Sequence, residues 1–578
     1  MELHAEVSIG TPWRPPAPNW RDLAALALVI AILLLIGSAA RQMLAPITAA
    51  EPSQISLSPT VLPNYALRTT MRMLIALVVS LLFTFAYGTL AAKSRRAEMV
   101  LIPLLDVLQS VPILGYLSFT IAFFVSLSPT RLLGAEFAAI FAIFTSEAWN
   151  MTFSFFQSLR TIPTDLDEAS RAFRFSGWQR FWRTEVPFAM PGLIWNTMMS
   201  MSGAWFFVVA SEAISVGTLH VELPGIGSYV ARAIEERDLT AVGWAIAAMA
   251  ITIFIYDQLL FRPLVAWADK FRYEQTAAGT VPRSWIVDFF RRTKQWRTLG
   301  TALKELAATA ARARLSPPRL ANPLKARMIP SAIADAVWLG FVAAAVGYLA
   351  WELLRFARSE LDWGDLIDAA TNGGITLLRV AVLILIATII WVPIGVFVGL
   401  RPLWAEKVQP VAQFLAAFPA NLLFPVAVYV IVHFQLSPVI WLSPLMILGT
   451  QWYILFNVIA GASTFPTDLR EAAGAFRIRG WHWWREVMLP GIFPYFVTGA
   501  ITASGGAWNA SIVSEAVSRG STKLSASGLG AYIAQMTEAG DYPRIALGIV
   551  VMSVLVISMN RLLWRPLYVF AERRTRLD

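Results

Sequence analysis

The sequence predicts an all-α membrane protein with about twelve transmembrane helices in two parallel six-helix repeats. Three observations support this fold class. The chain of 578 residues is 57% hydrophobic and only 15% charged, whereas soluble domains carry about 25% charged residues. Long runs without a charge recur from end to end, and motifs of the first half return in the second half in the same order. The composition therefore favours a membrane protein over several soluble domains.

The candidate spans are the runs without a charged residue, since a helix needs about 20 mostly apolar residues to cross a bilayer. These runs are Leu23–Ala40, Met73–Ala92, Val107–Thr130, Val186–Ser211, Val380–Leu400 and Val487–Ser514, with shorter runs at Leu239–Tyr256 and Ile545–Met559. The charge-free stretch that begins at Val408 is long enough for two spans. Leu23–Ala40 has a counterpart in mid-chain at Ala336–Ala350, so we interpret both as membrane helices and neither as a signal peptide.

Basic residues gather in alternate loops of the predicted bundle. Examples are Lys93, Arg95 and Arg96 after the second span, Arg160 and Arg171 after the fourth, and Arg262, Lys270 and Arg272 after the sixth. Because positively charged loops stay in the cytoplasm, we expect these loops and both termini on the cytoplasmic side of a bacterial inner membrane. The net charge of +10 therefore belongs to loops beside membrane lipids and does not indicate a nucleic-acid partner.

Several kinds of site are excluded by composition. The chain has no cysteine, which excludes disulfides, thiolate metal ligands and cysteine nucleophiles. Its four histidines are scattered, so we expect no metal site. No Gly-Lys dipeptide occurs, although a phosphate-binding loop needs one followed by Ser or Thr. We therefore expect no bound cofactor, no nucleotide site and no catalytic residue in this chain.

An internal repeat organises the chain. Trp149 returns as Trp452, an offset of 303 residues, and upstream Arg72 returns as Arg379, an offset of 307. Further repeated motifs are Pro163–Leu166 with Pro466–Leu469, Ser211–Ala213 with Ser514–Ala516, Gly225–Gly227 with Gly528–Gly530, and Arg262–Leu264 with Arg565–Leu567. An even number of spans per half makes the two halves parallel. Two such halves form either a pathway between them or a duplicated scaffold without a pore.

The repeat divides the chain into a first unit at 1–268, a linker at 269–327 and a second unit at 328–578. The linker is rich in Arg and Lys and contains the proline-rich stretch Ser316–Pro323, which is typical of a cytoplasmic connection. Its segment Trp285–Trp296 is either a short amphipathic helix on anionic lipid or part of a solvated tether.

The most specific motif is the loop after the fourth span of each half, at Pro163–Pro187 and Pro466–Pro490. Helix-forming residues fill the first part of each loop, a glycine interrupts it, an aromatic and basic turn follows, and a proline opens the next span. A helix–turn–helix with exposed apolar side chains is suited to a groove on a partner protein.

These two loops resemble the cytoplasmic coupling loop of binding-protein-dependent ABC importer permeases, and we name them the first and second coupling loop. The family pattern begins with Glu-Ala-Ala and ends near Leu-Pro. Matching residues are Glu168, Ala169 and Pro187 in the first loop, and Glu471, Ala472, Ala473 and Pro490 in the second. Thr69–Arg72 and Thr376–Arg379 are similar to the family's Thr-Leu-x-Arg start of the second span. The resemblance covers both repeats but not the linker, and the most similar subgroup imports nitrate, sulfonates, taurine or bicarbonate.

Both coupling loops depart from the family pattern at one position. The family's glycine, six residues after the glutamate, is Arg174 in the first loop and Arg477 in the second, and a glycine falls three residues later, at Gly177 and Gly480. Because both loops changed together, this is a systematic variant. It leaves open the geometry of the turn and the type of ATPase that docks there.

The resemblance implies a set of partners. Two ATP-binding-cassette ATPase subunits would bind the coupling loops and would carry ATP and Mg. A periplasmic or lipid-anchored binding protein would deliver the substrate, which would be a small anion such as nitrate, a sulfonate, taurine or bicarbonate. This chain would form the translocation path and would leave hydrolysis to its partners.

The candidate residues of that path lie near the end of the fifth span of each half. Glu212 and Glu515 end long uncharged runs at equivalent repeat positions. They are either gate residues, since a charge in the bilayer usually faces a cavity or a partner, or interfacial carboxylates that cap or snorkel. Trp205, Trp508 and Asn509 either line the same path or pack against neighbouring helices.

An ion-coupled secondary transporter with two parallel repeats is the alternative function. It would need buried ionisable relays and discontinuous helices with ion ligands, of which the spans contain few, and it would have no use for duplicated coupling loops. Co-purification with an ATPase that carries a phosphate-binding loop would discriminate between the two functions.

Overall fold

The computed structural model of the chain describes residues 55–128, 132–216, 219–271, 285–313, 331–463, 465–519 and 522–575, with five further residues between Leu23 and Gly37. The first predicted span, Leu23–Ala40, lies outside the described residues except for those five. Part of the linker, at residues 272–284 and 314–330, lies outside them as well.

The first half consists of helices joined by short turns, with one β-hairpin. In order, they are α1 Leu62–Lys93, α2 Arg95–Ser110, α3 Ile113–Leu127, α4 Leu133–Arg160, α5 Thr164–Ala172, α6 Gly177–Arg180, α7 Val186–Glu212, β1 Ala213–Val216, β2 Leu219–Glu222, α8 Ile226–Glu235, α9 Leu239–Tyr256 and α10 Arg262–Ala268. The linker contributes α11 Trp285–Arg291 and α12 Lys294–Arg312.

The second half follows the same plan. It contains α13 Ser331–Glu360, α14 Trp363–Gly399, α15 Pro402–Ala417, α16 Phe424–His433, α17 Pro438–Trp441, α18 Leu445–Leu448, α19 Trp452–Ser463, α20 Thr467–Ala475, α21 Gly480–Trp483, α22 Leu489–Ser514, β3 Ala516–Arg519, β4 Thr522–Ser525, α23 Leu529–Ala539, α24 Tyr542–Met559 and α25 Arg565–Thr575. Helix α13 precedes the repeated plan, and three short helices, α17 to α19, lie at the position of α4. The two repeats are therefore confirmed at the level of individual elements.

Four π-helical segments mark equivalent junctions of the repeats, at Phe181–Glu185, Asp257–Phe261, Trp484–Met488 and Asn560–Trp564. Each segment ends two residues before a proline, which is Pro187, Pro263, Pro490 or Pro566. A proline inside a helix donates no hydrogen bond, and its ring clashes with the carbonyl four residues earlier. Widening the preceding turn relieves that clash, so the α-helix continues through the proline.

The number of spans is resolved in part. Among the described residues, six helices are long and apolar enough to cross a membrane, and the count reaches nine if each of three bent helix pairs is one span. The pair α2 and α3 bends by 99°, and the pair α15 and α16 by 77°. Helix α4, with 28 residues, lies where the fourth span is expected, between Val107–Thr130 and the first coupling loop. Helix α13, with 30 residues, contains the predicted run Ala336–Ala350. The all-α membrane fold is confirmed, and a total of twelve spans remains a prediction.

One short antiparallel hairpin follows the fifth span of each half, and the sequence did not predict either of them. In β1 and β2, Ala213 lies opposite Glu222, and in β3 and β4, Ala516 lies opposite Ser525. Each hairpin is followed by a Gly-x-Gly sequence and a helix, α8 or α23. The hairpins are too short to change the fold class, but each lies between a buried glutamate and the glycine whose amide binds it.

The described chain forms two compact units. The smaller unit contains Ile162–Pro191, which holds the first coupling loop, and the described part of Tyr256–Asn322, which holds the linker helices. The larger unit contains the helical bundles of both halves and the second coupling loop. Its main core includes Ile121 of α3, Val380 of α14, Ile454 of α19 and Trp508 of α22, so both halves share one apolar core.

Candidate functional site

The two coupling loops have the same backbone. Each consists of a nine-residue helix, a reversed turn, a four-residue helix and the π-helical segment that leads into the fifth span. In the first loop the Phe175 amide donates to the Ser170 carbonyl at 3.1 Å, and in the second the Ile478 amide donates to the Ala473 carbonyl at 2.9 Å. This hydrogen bond across the helix end is the Schellman pattern.

The arginines that replace the family's glycine adopt the left-handed backbone conformation. Arg174 has a φ of 51° and Arg477 a φ of 54°. A helix that ends in a Schellman motif needs one residue with positive φ, usually glycine, and a residue with a Cβ atom adopts it at a cost of about 1 kcal/mol. The turn is therefore the one that a glycine would favour, formed here at an energetic cost in both loops.

The coupling residues differ in exposure. Exposed members are Glu168, Ala169, Arg174 and Gly177 in the first loop, and Glu471, Ala472, Arg477, Gly480 and Pro490 in the second, whereas Ala473 is buried and Pro187 is half-buried. Each loop also presents an exposed phenylalanine at the same repeat position, Phe173 at 72% and Phe476 at 79%. Each turn thus exposes an aromatic ring between a carboxylate and an arginine.

A cavity of about 450 Å³ lies inside the larger unit, where the two halves meet. Its described lining comes from α2, α3, α4 and α7 of the first half and from α15, α18, α19, α22 and α24 of the second. None of the described lining residues is charged. The lining combines aromatic rings, such as Trp149, Trp195 and Tyr453, with amides and hydroxyls, such as Asn150 and Thr502. This volume is in the range of small-molecule sites.

Helix breaks of each half contact the fifth span of the other half around this cavity. The Asn509 amide oxygen of α22 accepts a hydrogen bond of 2.7 Å from the Ile113 amide, the first residue of α3. The Asn421 side chain, in the break between α15 and α16, donates to the carbonyl of Phe206 in α7 at 3.2 Å. Phe206 and Asn509 are repeat equivalents. The Ile113 amide is an unpaired backbone group at a helix start, and the other half supplies its partner.

Three polar atoms of cavity-lining side chains have no hydrogen-bond partner among the described residues. They are the indole nitrogens of Trp149 and Trp564 and the hydroxyl of Thr450. All three groups are uncharged hydrogen-bond donors. A buried donor without a partner usually indicates a water, an ion or a ligand.

The predicted path residue Glu212 is fully buried in an ion-pair cluster, which we call the first hairpin clamp. Its carboxylate accepts hydrogen bonds from Thr69 at 2.6 Å, from Arg72 at 2.7 Å and from the Gly227 amide at 2.6 Å. Arg72 donates two further bonds to Glu136, at 2.6 and 2.7 Å. The clamp therefore ties α1 and α4 to the start of α8, directly after the hairpin.

The second hairpin clamp has the same plan around Glu515. Its carboxylate accepts from Thr376 at 2.9 Å, from Arg379 at 2.9 Å and from the Gly530 amide at 2.8 Å. A Cβ atom at Gly528 would collide with the Glu515 carboxylate, which explains the glycine at this position. The position of Glu136 has no acidic equivalent in the second half, so Arg379 lacks the second carboxylate that Arg72 has.

The clamps explain three repeated motifs with one geometry. Thr69–Arg72 supplies the donors, Ser211–Ala213 supplies the carboxylate, and Gly225–Gly227 leaves room for it. Sequence reasoning singled out Glu212 but missed its partners, because residues far apart in sequence meet only in the fold. Their recurrence in the same order in both halves was the available signal. Glu136 has no such signal, since the second half lacks it.

The predicted path residues lie in different places. Asn509 lines the cavity, whereas Trp205, Trp508, Glu212 and Glu515 are not among its lining residues. Both tryptophans are only 1% exposed and pack inside the bundle. The role of these five residues in transport remains a prediction.

Residues 84–262 and 391–565 each match the family model for binding-protein-dependent transport system inner membrane components. The two matches cover equivalent parts of the two repeats. They include both coupling loops, the clamp glutamates Glu212 and Glu515, and the hairpins and glycines that follow these glutamates. Together they account for more than half of the chain.

Characterised proteins with similar sequences match one repeat's length of this chain. A nitrate import permease protein of Leptolyngbya laminosa is 25% identical over 256 residues, which are 41% of this chain and 85% of the relative. A glycine betaine/proline betaine transport system permease protein of Escherichia coli is 28% identical over 226 residues, 39% of this chain and 60% of the relative. A bicarbonate transport system permease protein of Synechocystis is 27% identical over 135 residues, 23% of this chain and 47% of the relative.

Proposed function

The chain belongs to the family of binding-protein-dependent transport system inner membrane components, and from this premise we propose that it forms the complete translocation path of an ATP-driven importer. Its similarity to permeases of ABC importers supports the general function. Relatives match about one repeat each, so the two repeats would replace two separate permease subunits. The observation that carries the proposal is the uncharged cavity between the two halves, lined by both repeats.

We propose that each coupling loop binds one ATP-binding-cassette ATPase subunit, which holds ATP and Mg. The exposed Phe173 and Phe476 would insert into an apolar groove of the ATPase. Glu168 and Glu471 are exposed on the second turn of α5 and α20, so a basic residue of the partner would pair with them there. Closure of the ATPase pair would then rock the two halves as rigid bodies and open the cavity to one side of the membrane.

A periplasmic or lipid-anchored binding protein would deliver the substrate, and we propose a small anion such as nitrate, a sulfonate, taurine or bicarbonate. The nitrate and bicarbonate permeases among the relatives support this class. The indole and hydroxyl donors of Trp149, Trp564 and Thr450, which lack partners among the described residues, would bind an acceptor without holding it too tightly for release. A lining free of carboxylates avoids repelling an anion.

A quaternary ammonium zwitterion is the second candidate substrate. The betaine permease among the relatives and the aromatic faces of Trp149, Trp195 and Tyr453 favour it. Aromatic rings attract such cations through the negative face of the π system, and no neighbouring lysine or arginine in the described lining opposes this.

Two substitutions at one position separate the candidates. Trp149→Phe removes the indole donor and keeps a ring, so it should slow uptake of an anion several-fold and spare betaine. Trp149→Leu removes the ring as well and should slow both. The measurement is uptake of labelled nitrate or glycine betaine into proteoliposomes that contain the full chain, its ATPase and its binding protein.

ATP dependence tests the function itself. An importer should take up substrate only when ATP is present on the side of the membrane where the ATPase lies. Its ATPase activity should also be stimulated by substrate. The alternative, an ion-coupled secondary transporter, predicts uptake driven by a proton or sodium gradient without ATP. Gradient-driven uptake by the chain alone would overturn the proposed function.

A further inference from the structure

The two coupling loops share a backbone but differ in what braces them. Within the first loop, Arg180 forms ion pairs with Asp167 at 2.6 Å and with Glu185 at 3.1 Å. Asp167 also pairs with Arg171 at 2.8 Å. A capping box joins Ser176 to Gln179 through hydrogen bonds of 3.3 and 3.0 Å. These contacts link α5, α6 and the π-helical segment into one piece.

The second loop lacks the residues that make these contacts. The repeat equivalents of Asp167, Arg180 and Glu185 are Arg470, Trp483 and Met488, which cannot form the same ion pairs. The equivalents of Ser176 and Gln179 are Arg479 and His482, and no side chain caps α21. Among the described residues, these ion pairs and this capping box are therefore found in the first loop only, whereas Trp483 and Trp484 of the second loop pack against the main apolar core.

The linker adds a second difference. At the end of linker helix α12, the Ala310 carbonyl accepts a hydrogen bond of 2.8 Å from the Trp178 indole, and the Arg312 carbonyl accepts one of 2.7 Å from the Gln179 amide. The last carbonyls of a helix lack the usual partner four residues later, so these two side chains of the first coupling loop cap α12, where the Ala310 carbonyl also accepts from the Ala313 amide at 3.2 Å. Gln179 is buried by this packing, and Trp178 is half-buried.

The second loop presents the corresponding residues to solvent. Trp481, the equivalent of Trp178, is 71% exposed, and His482 is exposed as well. An exposed tryptophan side chain must be ordered when a partner binds, and that ordering costs free energy. The first loop is ordered before a partner arrives.

We propose that linker helix α12 makes the first coupling loop a pre-ordered docking site for one ATPase subunit, so that the two ATPase subunits bind the chain with unequal affinity. The linker is then part of the coupling apparatus and more than a tether between repeats. This inference rests on the proposed function, since it assumes that ATPase subunits dock on both loops. It adds that the first loop, with α12 behind it, is the tighter site.

Hydrogen exchange of the full-length chain without ATPase tests the bracing. Backbone amides of residues 164–180 should exchange more slowly than those of residues 467–483. Gln179→Ala, and separately Trp178→Phe, should raise exchange in the first loop and leave the second loop unchanged. Leu306→Ala, at an exposed position of α12, is the matched control and should change neither loop.

Titration with the ATPase subunit that co-purifies with the full chain tests the docking. The unaltered chain should bind two copies with different affinities, and Trp178→Phe should weaken the tighter site roughly tenfold, which corresponds to losing the hydrogen bond to the Ala310 carbonyl while the capping box stays intact. Equal affinities in the unaltered chain, or equal exchange in both loops, would overturn the inference. Failure of the unaltered chain to bind any ATPase would instead overturn the proposed function.

Discussion

At the scale of single residues, the buried glutamates at the ends of the two fifth spans have structural partners. Glu212 and Glu515 end long uncharged runs, and each binds an arginine, a threonine and a backbone amide. A buried carboxylate is tolerated only when such partners replace water. Glu212 and Glu515 therefore have a structural role: each carboxylate holds the chain that follows the hairpin. This geometry favours neither of the two roles considered from the sequence, a gate residue or an exposed interfacial carboxylate.

We therefore predict that Glu515→Gln destabilises the protein by about 3 kcal/mol, because it leaves the nearly buried Arg379 without its carboxylate. Glu538→Gln is the control, since Glu538 forms an exposed ion pair with Lys523 of the same hairpin and such pairs contribute about 0–1 kcal/mol. Unfolding in detergent, with limited proteolysis at residues 516–525, would measure both. Equal effects of the two substitutions would contradict the clamp.

A second prediction concerns the left-handed arginines. Arg174→Gly and Arg477→Gly should each stabilise their turn by about 1 kcal/mol, because glycine adopts a positive φ without strain. Arg171→Gly, one turn earlier inside α5, should destabilise by about the same amount. Thermal unfolding of the purified chain compares the three. A stabilised Arg174→Gly variant that loses ATPase affinity would show that the arginine also contacts the partner.

At the scale of elements, the repeated unit is a coupling loop, a long fifth span and a hairpin. In the second half, α22 separates the second coupling loop from the second hairpin by 26 residues, or about 39 Å of helix. That length matches the thickness of a bilayer with its headgroups. Movement of the loop would therefore reach the hairpin through a rigid helix that lines the cavity with Thr502 and Asn509.

The coupling role predicts the effect of charge reversal. The double substitution Glu168→Lys and Glu471→Lys should abolish ATPase co-purification while membrane insertion and the unfolding temperature stay unchanged, because both carboxylates are exposed. Glu538→Lys, at an exposed position after the second hairpin, is the control and should retain the ATPase. A double variant that still binds its ATPase and transports at the normal rate would refute the assignment.

At the scale of the whole molecule, orientation is the first prediction. Alternating basic loops predict that the linker faces the cytoplasm. The chain has no cysteine, so single cysteines can be placed cleanly at Lys304 in the linker and at Glu538 after the second hairpin. An impermeant thiol reagent applied to the periplasmic side should label only position 538. Labelling of position 304 from the periplasmic side would show that the predicted topology is inverted or wrong.

The linker leads to a prediction about splitting the chain. Co-expressed residues 1–300 and 301–578 would cut inside α12, whereas 1–313 and 314–578 would leave this helix intact on the first half. If α12 braces the first coupling loop, the second pair should couple ATP hydrolysis to transport and the first pair should not. Equal transport by both pairs, with all fragments stably inserted, would mean that the linker is a tether only.

Fold class, repeat and coupling loops were predictable from the sequence because each depends on local pattern. Long hydrophobic runs indicate membrane spans whatever the tertiary fold. A constant sequence offset, such as that from Trp149 to Trp452, indicates duplication without any structure. Glu168 and Glu471 could be predicted as docking residues because the motif around them is consecutive in sequence, and that role stays a prediction. The hairpins were missed, since strands of four residues leave too short a pattern.

Only the tertiary structure decided which distant residues meet. The partners of Glu212 lie on α1, α4 and α8, and their contact depends on how the helices pack. The cavity is lined by α7 of the first half and α22 of the second, with Asn509 and Asn421 bridging the halves. The contact of α12 with Trp178 arises where the repeats differ, so comparison of the two halves could not reveal it. Sequence pattern thus determines each helix and its duplication, whereas long-range packing determines the clamps, the cavity and the unequal coupling loops.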